Sequence, residues 1–246
     1  ARKQAVRTLS IVNVMKSTIA RESHQAIYMR AGTEIGVAST KAFTSEIALL
    51  LLLSLHLGRI RWRLPQEKIN YFMDELRKLP TALELLLSET SRISEVAQDI
   101  RDSKTVFFIG RGLSYPIALE GALKLKEISY IHAAGYPAGE LKHGPIALIE
   151  EGTPVVFICP NDAVAQKTLS NAEEVRSRGA KIIGVVEEGF EEAHSVCDHV
   201  LTFPSIDPAV SPLLSIVPLQ LLAYHVAVLR ECDVDKPRNL AKSVTV

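Results

Sequence analysis

Apolar positions along the chain fall into two kinds of run. The first kind is short, continuous and rich in β-branched and aromatic residues: "TVFFIG" (105–110), "PVVFIC" (154–159), "KIIGVV" (181–186) and "HVLTFP" (199–204). Runs of that length without alternation mark strands buried on both faces. The second kind is longer and interleaved with polar residues. It comprises "SYPIALEGALKLKEIS" from Ser114, "AVAQKTLSNAEEVRSRG", which stops at Gly179, and "SPLLSIVPLQLLAYHVAVLRE", whose Pro212 suits a first helical turn. Strands alternating with helices predict βαβ units. The expected fold is therefore α/β, a flavodoxin-like parallel sheet covered by helices.

One pattern occurs twice. "LSIVNV" (9–14), a polar gap, "SHQAIYM" (23–29), a loop and "TSEIALLLLLSLHLG" (44–58) form one series; "AKIIGVV" (180–186), a polar gap, "HVLTF" (199–203), a loop and the helix from Ser211 form the other. Two more strands and two more helices precede the second series, and almost nothing precedes the first. The first unit therefore reads as the back half of a domain, and the chain as a fragment. Between them, "GRIRWRLPQEKINYFMDELRKLPTALELLLSETSRISEVAQDIRD" predicts a polar linker and two amphipathic helices broken at Pro80. The expected limits are 1–60 for the first subdomain, truncated at its N-terminus, 61–100 for a helical linker, 101–232 for the second subdomain and 233–246 for a tail.

Composition narrows the function classes. With 47% hydrophobic residues among 246, a well-buried interior is expected, and 28 basic against 28 acidic residues leave no global field for nucleic acid or an anionic membrane. The apolar run "IALLLLLSLHL" (47–57) is shorter than the roughly twenty residues of a membrane span, so it reads as a buried helix. The start "ARKQAVRTLSIV" lacks the apolar region of a secretory leader. Three widely spaced cysteines suit a reducing cytoplasm. "HSVCDH", with His194, Cys197 and His199, has no second cluster to complete a zinc site, so no metal and no cofactor is expected.

Candidate chemistry sits in four places, each with a plain alternative. The Gly-Arg-Gly turn (110–112) before Ser114 is either a tight turn or an anion-binding helix start. Glu120, Lys124 and Glu127 share one helix face, as a solvated charge stripe or as a general base beside a lysine. "GELKHGP" (139–145) is a charged turn or a rigid catalytic loop around His143. "DVDKPRNLAKSVTV" (233–246) is a frayed end or a functional tail.

Together these segments resemble a known family. "AGTEIGVASTKAFT" (31–44), "ALEGALKLKEISYIHAAGYPAGELKHGP" (118–145) and "VPLQLLAYHVAVLRECDVDKPRNLAKSVTV" (217–246) are similar to the isomerase half of the glucosamine-6-phosphate synthase family, the isomerizing glutamine–fructose-6-phosphate aminotransferases. The resemblance implies two sugar isomerase (SIS) subdomains, each a five-stranded parallel unit. It also implies a reaction converting fructose 6-phosphate and ammonia to glucosamine 6-phosphate, with ammonia supplied by a separate glutaminase domain. His143 would open the sugar ring, in a loop reaching a neighbouring subunit of a homodimer. Glu127 would move the proton between C1 and C2, with Lys124 beside it. Lys242 would form a Schiff base with the open-chain ketose, the tail acting as a lid. Val37, Ser39 and Ala241 would contact the sugar.

The family's Ser/Thr-rich phosphate loop has no counterpart ahead of Arg7, and "CPNDAVAQ" (159–166) carries Asp162, which would repel phosphate. Poor binding of fructose 6-phosphate and an inactive fragment are the corresponding expectations. A non-catalytic SIS sensor of sugar phosphates is the alternative, although such a protein has no use for a tail lysine. A dinucleotide enzyme is poorly supported, because Pro116 stands where the third glycine of G-x-G-x-x-G would fall.

Overall fold

The computed structural model describes residues 6–242, which divide into two compact units at the junction of Asn70 and Tyr71. The first unit holds two parallel strands, β1 (Leu9–Val12) and β2 (Gln25–Tyr28), with Leu9 opposite Gln25 and Val12 opposite Tyr28. A short helix, α1 (Thr18–Glu22), connects them, and the Ser17 hydroxyl accepts from the Ala20 amide at 3.3 Å as its N-cap. After β2 the chain loops through residues 31–40 into α2 (Lys41–Ile60). Asn13 pins that loop at both amide atoms, donating to the Gly32 carbonyl at 2.7 Å and accepting from the Ala31 amide at 3.0 Å.

The apolar run was expected to form a buried helix, and here the structure differs. Helix α2 forms over 20 residues, yet only Ala42 and Leu55 are buried, while Leu50, Leu52, Leu57 and Ile60 face outward. By length and composition α2 is one of two helices, among the described residues, apolar enough to cross a membrane. Burial needs an opposing surface, and two four-residue strands offer too little of one. Hydropathy records the demand for cover, not its presence.

Helix α3 (Gln66–Ser88) spans the junction of the units and runs unbroken through Pro80, contrary to the expected break; the interruption falls at Glu89–Thr90, before α4 (Ser91–Ile100). Pro80 is exposed, so its ring lies on the solvent side, where a helix can bend away from it and a carbonyl that loses its partner can turn to water.

The second unit is a five-stranded parallel sheet with order β4-β3-β5-β6-β7. Its strands are β3 (Thr105–Gly110), β4 (His132–Pro137), β5 (Pro154–Cys159), β6 (Lys181–Glu187) and β7 (His199–Phe203). Four match the apolar runs. The fifth, β4, has the sequence HAAGYP, too small and mixed to register as a strand. Those small residues serve packing: α5 (Ser114–Ser129) lies directly on β4, and a Cβ at Gly135 would come within 2.9 Å of the Leu119 Cα. On its other flank α5 meets α8 (Pro212–Leu229), where a Cβ at Gly121 would stand 2.6 Å from Leu219 Cδ1. Helices α6 (Ala165–Arg176) and α7 (Glu191–Val196) complete the layers. Strand β5 is buried along its whole length, and α8 is mostly buried core despite its membrane-like composition.

Polar bonds fasten α3 to the approach to α8. The buried carboxylate of Glu75 accepts from the Asp207 amide at 3.0 Å and pairs with Lys78, while the Tyr71 hydroxyl donates to Asp207 at 3.0 Å. Lys78 first, then the Asp207 amide, holds the Glu75 carboxyl below its ordinary 4.5, against the upward push of burial. Lys78 is largely exposed and screened, so the amide bond carries most of the stabilisation. A depressed carboxylate stabilises above its unfolded value and loses that contribution as pH falls through its folded one. Glu75→Gln, which keeps an acceptor for the Asp207 amide and loses only the charge, should therefore cost about 0.5–1 kcal/mol at pH 7. The gap from the parent should close below pH 4.5, as urea unfolding at pH 7 and pH 3 would show.

Candidate active site

The charged face of helix α5 is not a solvated stripe. Lys124 is 3% exposed, with its Nζ 2.7 Å from Glu127 Oε2 and 3.3 Å from Glu120 Oε1. An ammonium taken this far from water must be matched by opposite charge, and two carboxylates on the same helix face supply it. The trio carries one net negative charge. Glu127 is the more open carboxylate, its side chain 22% exposed. It borders a cavity of about 330 Å³ lined by Leu123, Lys126, Glu127, Tyr130 and the tail residues Arg238–Leu240.

The tail reaches that cavity because α5 and α8 both run back from the carboxyl end of the sheet and finish side by side. Arg230, just past α8, donates from Nε to the Ser129 carbonyl at 2.9 Å. Asp233 then turns the chain, its carboxylate accepting from the amides of Asp235 and Lys236 at 3.0 and 2.9 Å. Pro237 is buried, and the Arg238 amide donates to the Tyr130 hydroxyl at 2.8 Å. Ala241 and Lys242 follow, exposed, as the last described residues. The structure thus brings Glu127 and Lys124 together and leads the tail to them.

His143 is elsewhere in the unit. It ends a 3-10 turn, Ala138–His143, directly after β4, at the carboxyl edge of the sheet. At about 1.5 Å per residue, Glu127 lies roughly 20 Å along α5 from Ser114, which starts at that same edge. The turn itself is firmly held. Ala138 and Leu141 are buried in the core, and Lys142 pairs with Glu174 at 3.3 Å. The Arg111 guanidinium lies over Gly139, where a Cβ would meet its nitrogen at 2.8 Å, and its Nε donates to Asn171 at 3.0 Å. The imidazole at the tip is 74% exposed, 3.8 Å from Glu140. Gly144, at φ +141°, makes the exit in a backbone conformation that L side chains rarely adopt. Such a group is presented outward.

The loop after β5 is occupied by the protein's own carboxylates. Asp162 accepts from the Val164 amide at 2.9 Å, and buried Glu187 accepts from the Asn161 amide at 2.9 Å and from the Ser205 hydroxyl. Amides already bonded to carboxylates do not attract an anion. In the first unit, Ser39 donates to Glu34 at 3.1 Å, and half-buried Val37 lies beside it in the loop that Asn13 pins.

The residues of "HSVCDH" go separate ways. Cys197 packs on Gly184, His199 bonds Asp99 at 2.6 Å, and the Nε2 of His194 is buried without a hydrogen-bond partner. Among the described residues no group of three or more such side chains is arranged to hold a metal. Burial pushes the thiols of Cys159 and Cys197 up to about 12, so neither is a nucleophile.

Two participants, Tyr130 and Arg238, were invisible to pattern reading, because they are 108 residues apart and neither stands in a motif of its own. Glu120 was on the marked face, but only the structure shows it sharing Lys124.

A family model described as the SIS domain matches residues 1–55 and 99–230, which together include the strands of both units. The chain belongs to the SIS domain family. Its SIS relatives include the isomerizing glutamine–fructose-6-phosphate aminotransferase of Methanosarcina acetivorans, 53% identical over 97% of this chain and 39% of that protein. The enzyme of the same name from Thermus thermophilus is 48% identical over 100% of this chain and 41% of its own length. Among solved structures, the C-terminal domain of the Francisella tularensis glucosamine-fructose-6-phosphate aminotransferase superposes with a TM-score of 0.91 at 42% identity, covering 96% of this chain and 67% of that one. The chain spans about two fifths of the length of the curated relatives it matches.

The Lys124 trio makes a first test. Removing the ammonium leaves two carboxylates close together and unmatched, so Lys124→Ala should lower stability by roughly 3–5 kcal/mol. Lys126→Ala, two residues away on the exposed side, should cost less than about 0.5 kcal/mol in the same urea titration.

Proposed function

We propose that this chain supplies the isomerase chemistry of a glutamine–fructose-6-phosphate aminotransferase, turning fructose 6-phosphate and ammonia into glucosamine 6-phosphate. The observation that carries this reading is the cavity beside Glu127, with a buried lysine on one side and the tail leading to Lys242 on the other. A catalytic carboxylate needs a rigid mount, and α5 provides one; a nucleophilic amine needs to approach and withdraw, and a tail outside the helices and strands suits that.

The steps assign themselves by chemistry. The Lys242 amine, once uncharged, attacks C2 of the open-chain ketose, and water departs to leave an imine. Ammonia then adds at C2 and displaces the Lys242 amine, leaving an imine whose nitrogen comes from ammonia. Glu127 takes a proton from C1 and returns it at C2 while the C1 hydroxyl proton passes to that nitrogen, so that the imine becomes a 2-amino aldose. Lys124, 2.7 Å away, holds that carboxylate in position. Ring opening needs an acid/base at the ring oxygen, which suits an imidazole. Since His143 stands at the far edge of its own unit and points outward, it serves the site of a second copy in a homodimer. Val37, Ser39 and Ala241 contact the sugar. Ammonia comes from a glutaminase domain of the longer protein, and the setting is cytoplasmic. The uncovered leucines of α2 fit the same reading, because a first unit with five strands, like the second, would cover them.

Two measurements on a full-length enzyme test this. Glu127→Gln should bind fructose 6-phosphate with little change yet lose at least 100-fold in exchange of the C1 proton with solvent, read by NMR. Unchanged exchange would remove Glu127 from the role. Mixing inactive His143→Ala chains with inactive Lys242→Ala chains should restore about half of parental activity in each mixed dimer, and so about a quarter in a random equal mixture, since one of the two sites regains both groups. No recovery would mean that each site is built within one chain.

A further inference from the structure

Four residues before Lys242, the tail is fastened to the end of α5 by a contact that no catalytic step uses. The Arg238 amide donates to the Tyr130 hydroxyl at 2.8 Å, and the Arg238 guanidinium lies 4.1 Å from the centre of the Tyr130 ring. Tyr130 is the residue that ends α5 in a left-handed conformation, φ 63°, which turns its side chain out of the helical row. Asn239, directly after Arg238, is also left-handed at φ 62° and redirects the chain along the cavity. Buried Pro237 stiffens the approach from the other side.

From these contacts we infer that Tyr130 and Arg238 form a pivot for the tail, positioning residues that set where the Lys242 amine can go. The inference deepens the proposed function and rests on it. Its physical basis is reach. An extended chain covers at most about 3.6 Å per residue, so a tail pinned at Arg238 keeps the Lys242 Cα within roughly 14 Å of that point. The cavity lined by Glu127 lies within that radius, since Arg238 itself forms part of its wall. Without the pin, the anchor would move back to Lys236, the last amide that the Asp233 carboxylate holds. The amine would then be spread over a larger volume. The pin is built from two separable parts. The hydroxyl bond depends on Tyr130 alone, because the donor is backbone, and the stacking depends on both side chains.

The test uses the full-length enzyme with saturating fructose 6-phosphate, and borohydride to trap the imine at Lys242 for mass spectrometry. Tyr130→Ala removes both parts and should slow adduct formation about tenfold. Tyr130→Phe keeps the ring and Arg238→Ala keeps the hydroxyl bond, so each should slow it about threefold. Melting temperatures should match the parent for Arg238→Ala, whose side chain is exposed, so this variant decides the matter if Tyr130→Ala misfolds. Adduct formation equal to the parent's in the folded variants would overturn the pivot. A faster rate would overturn it too, showing that the contact restrains the tail away from the site. A parental enzyme that gives no adduct at Lys242 would sink the proposed function instead, and the pivot with it.

Discussion

Helix α5 approaches both of its neighbours more closely than side chains normally permit, and the site depends on that. Glycine at 121 lets α8 lie against it, and glycine at 135 lets β4 lie beneath it. A helix held this tightly cannot tilt or slide without a clash at one flank or the other. The same close contact takes Lys124 out of water, which forces the pairing with Glu120 and Glu127. Glu127 thereby inherits a fixed position from packing that lies a full turn or more away from it. A carboxylate on a loop would gain no such restraint.

The geometry of the α/β layer then separates the other groups. Helices that return over a parallel sheet start at its carboxyl edge and end at its amino edge. Glu127 and the root of the tail are therefore at one edge, because α5 and α8 end together, and the His143 turn is at the other. Ligands in open α/β folds usually sit beyond the carboxyl ends of the strands. Here that edge is filled near β5 and β6 by Asp162, which accepts from the Val164 amide, and by Glu187, which accepts from the Asn161 amide and the Ser205 hydroxyl. What remains at that edge is an imidazole on a turn clamped by Arg111, Leu141 and Lys142, aimed away from its own unit.

The first unit shows how far an apolar sequence can be from a buried one. Its leucine-rich helix has the composition of a core element, yet two short strands cannot cover it. The second unit has the corresponding helix, α8, enclosed by α5, α4 and the sheet. Equal hydropathy with opposite burial places the difference in what surrounds each helix. The relatives that this chain matches are more than twice as long.

Much was legible beforehand, for a local reason. Strands β3, β5, β6 and β7 announce themselves because a strand buried on both faces admits few residue types. The spacing of Glu120, Lys124 and Glu127 placed them on one face because helical periodicity is rigid. The chain order of motifs pointed to SIS domains, and the family match agrees. Three features escaped because they depend on neighbours distant in sequence. Strand β4 is small-residued to receive α5, and so looks like a loop. Pro80 leaves its helix whole because its face meets water. Tyr130 and Arg238 carry no local signature, since their contact joins positions 108 apart. Sequence by itself determined which segments form strands and helices and which side chains can carry chemistry, because those properties reside in single residues and short periods. Only the tertiary structure decided that Lys124 is buried, that α2 is not, and that the tail meets Glu127 while His143 does not, because burial and proximity belong to pairs of surfaces that the chain order does not specify.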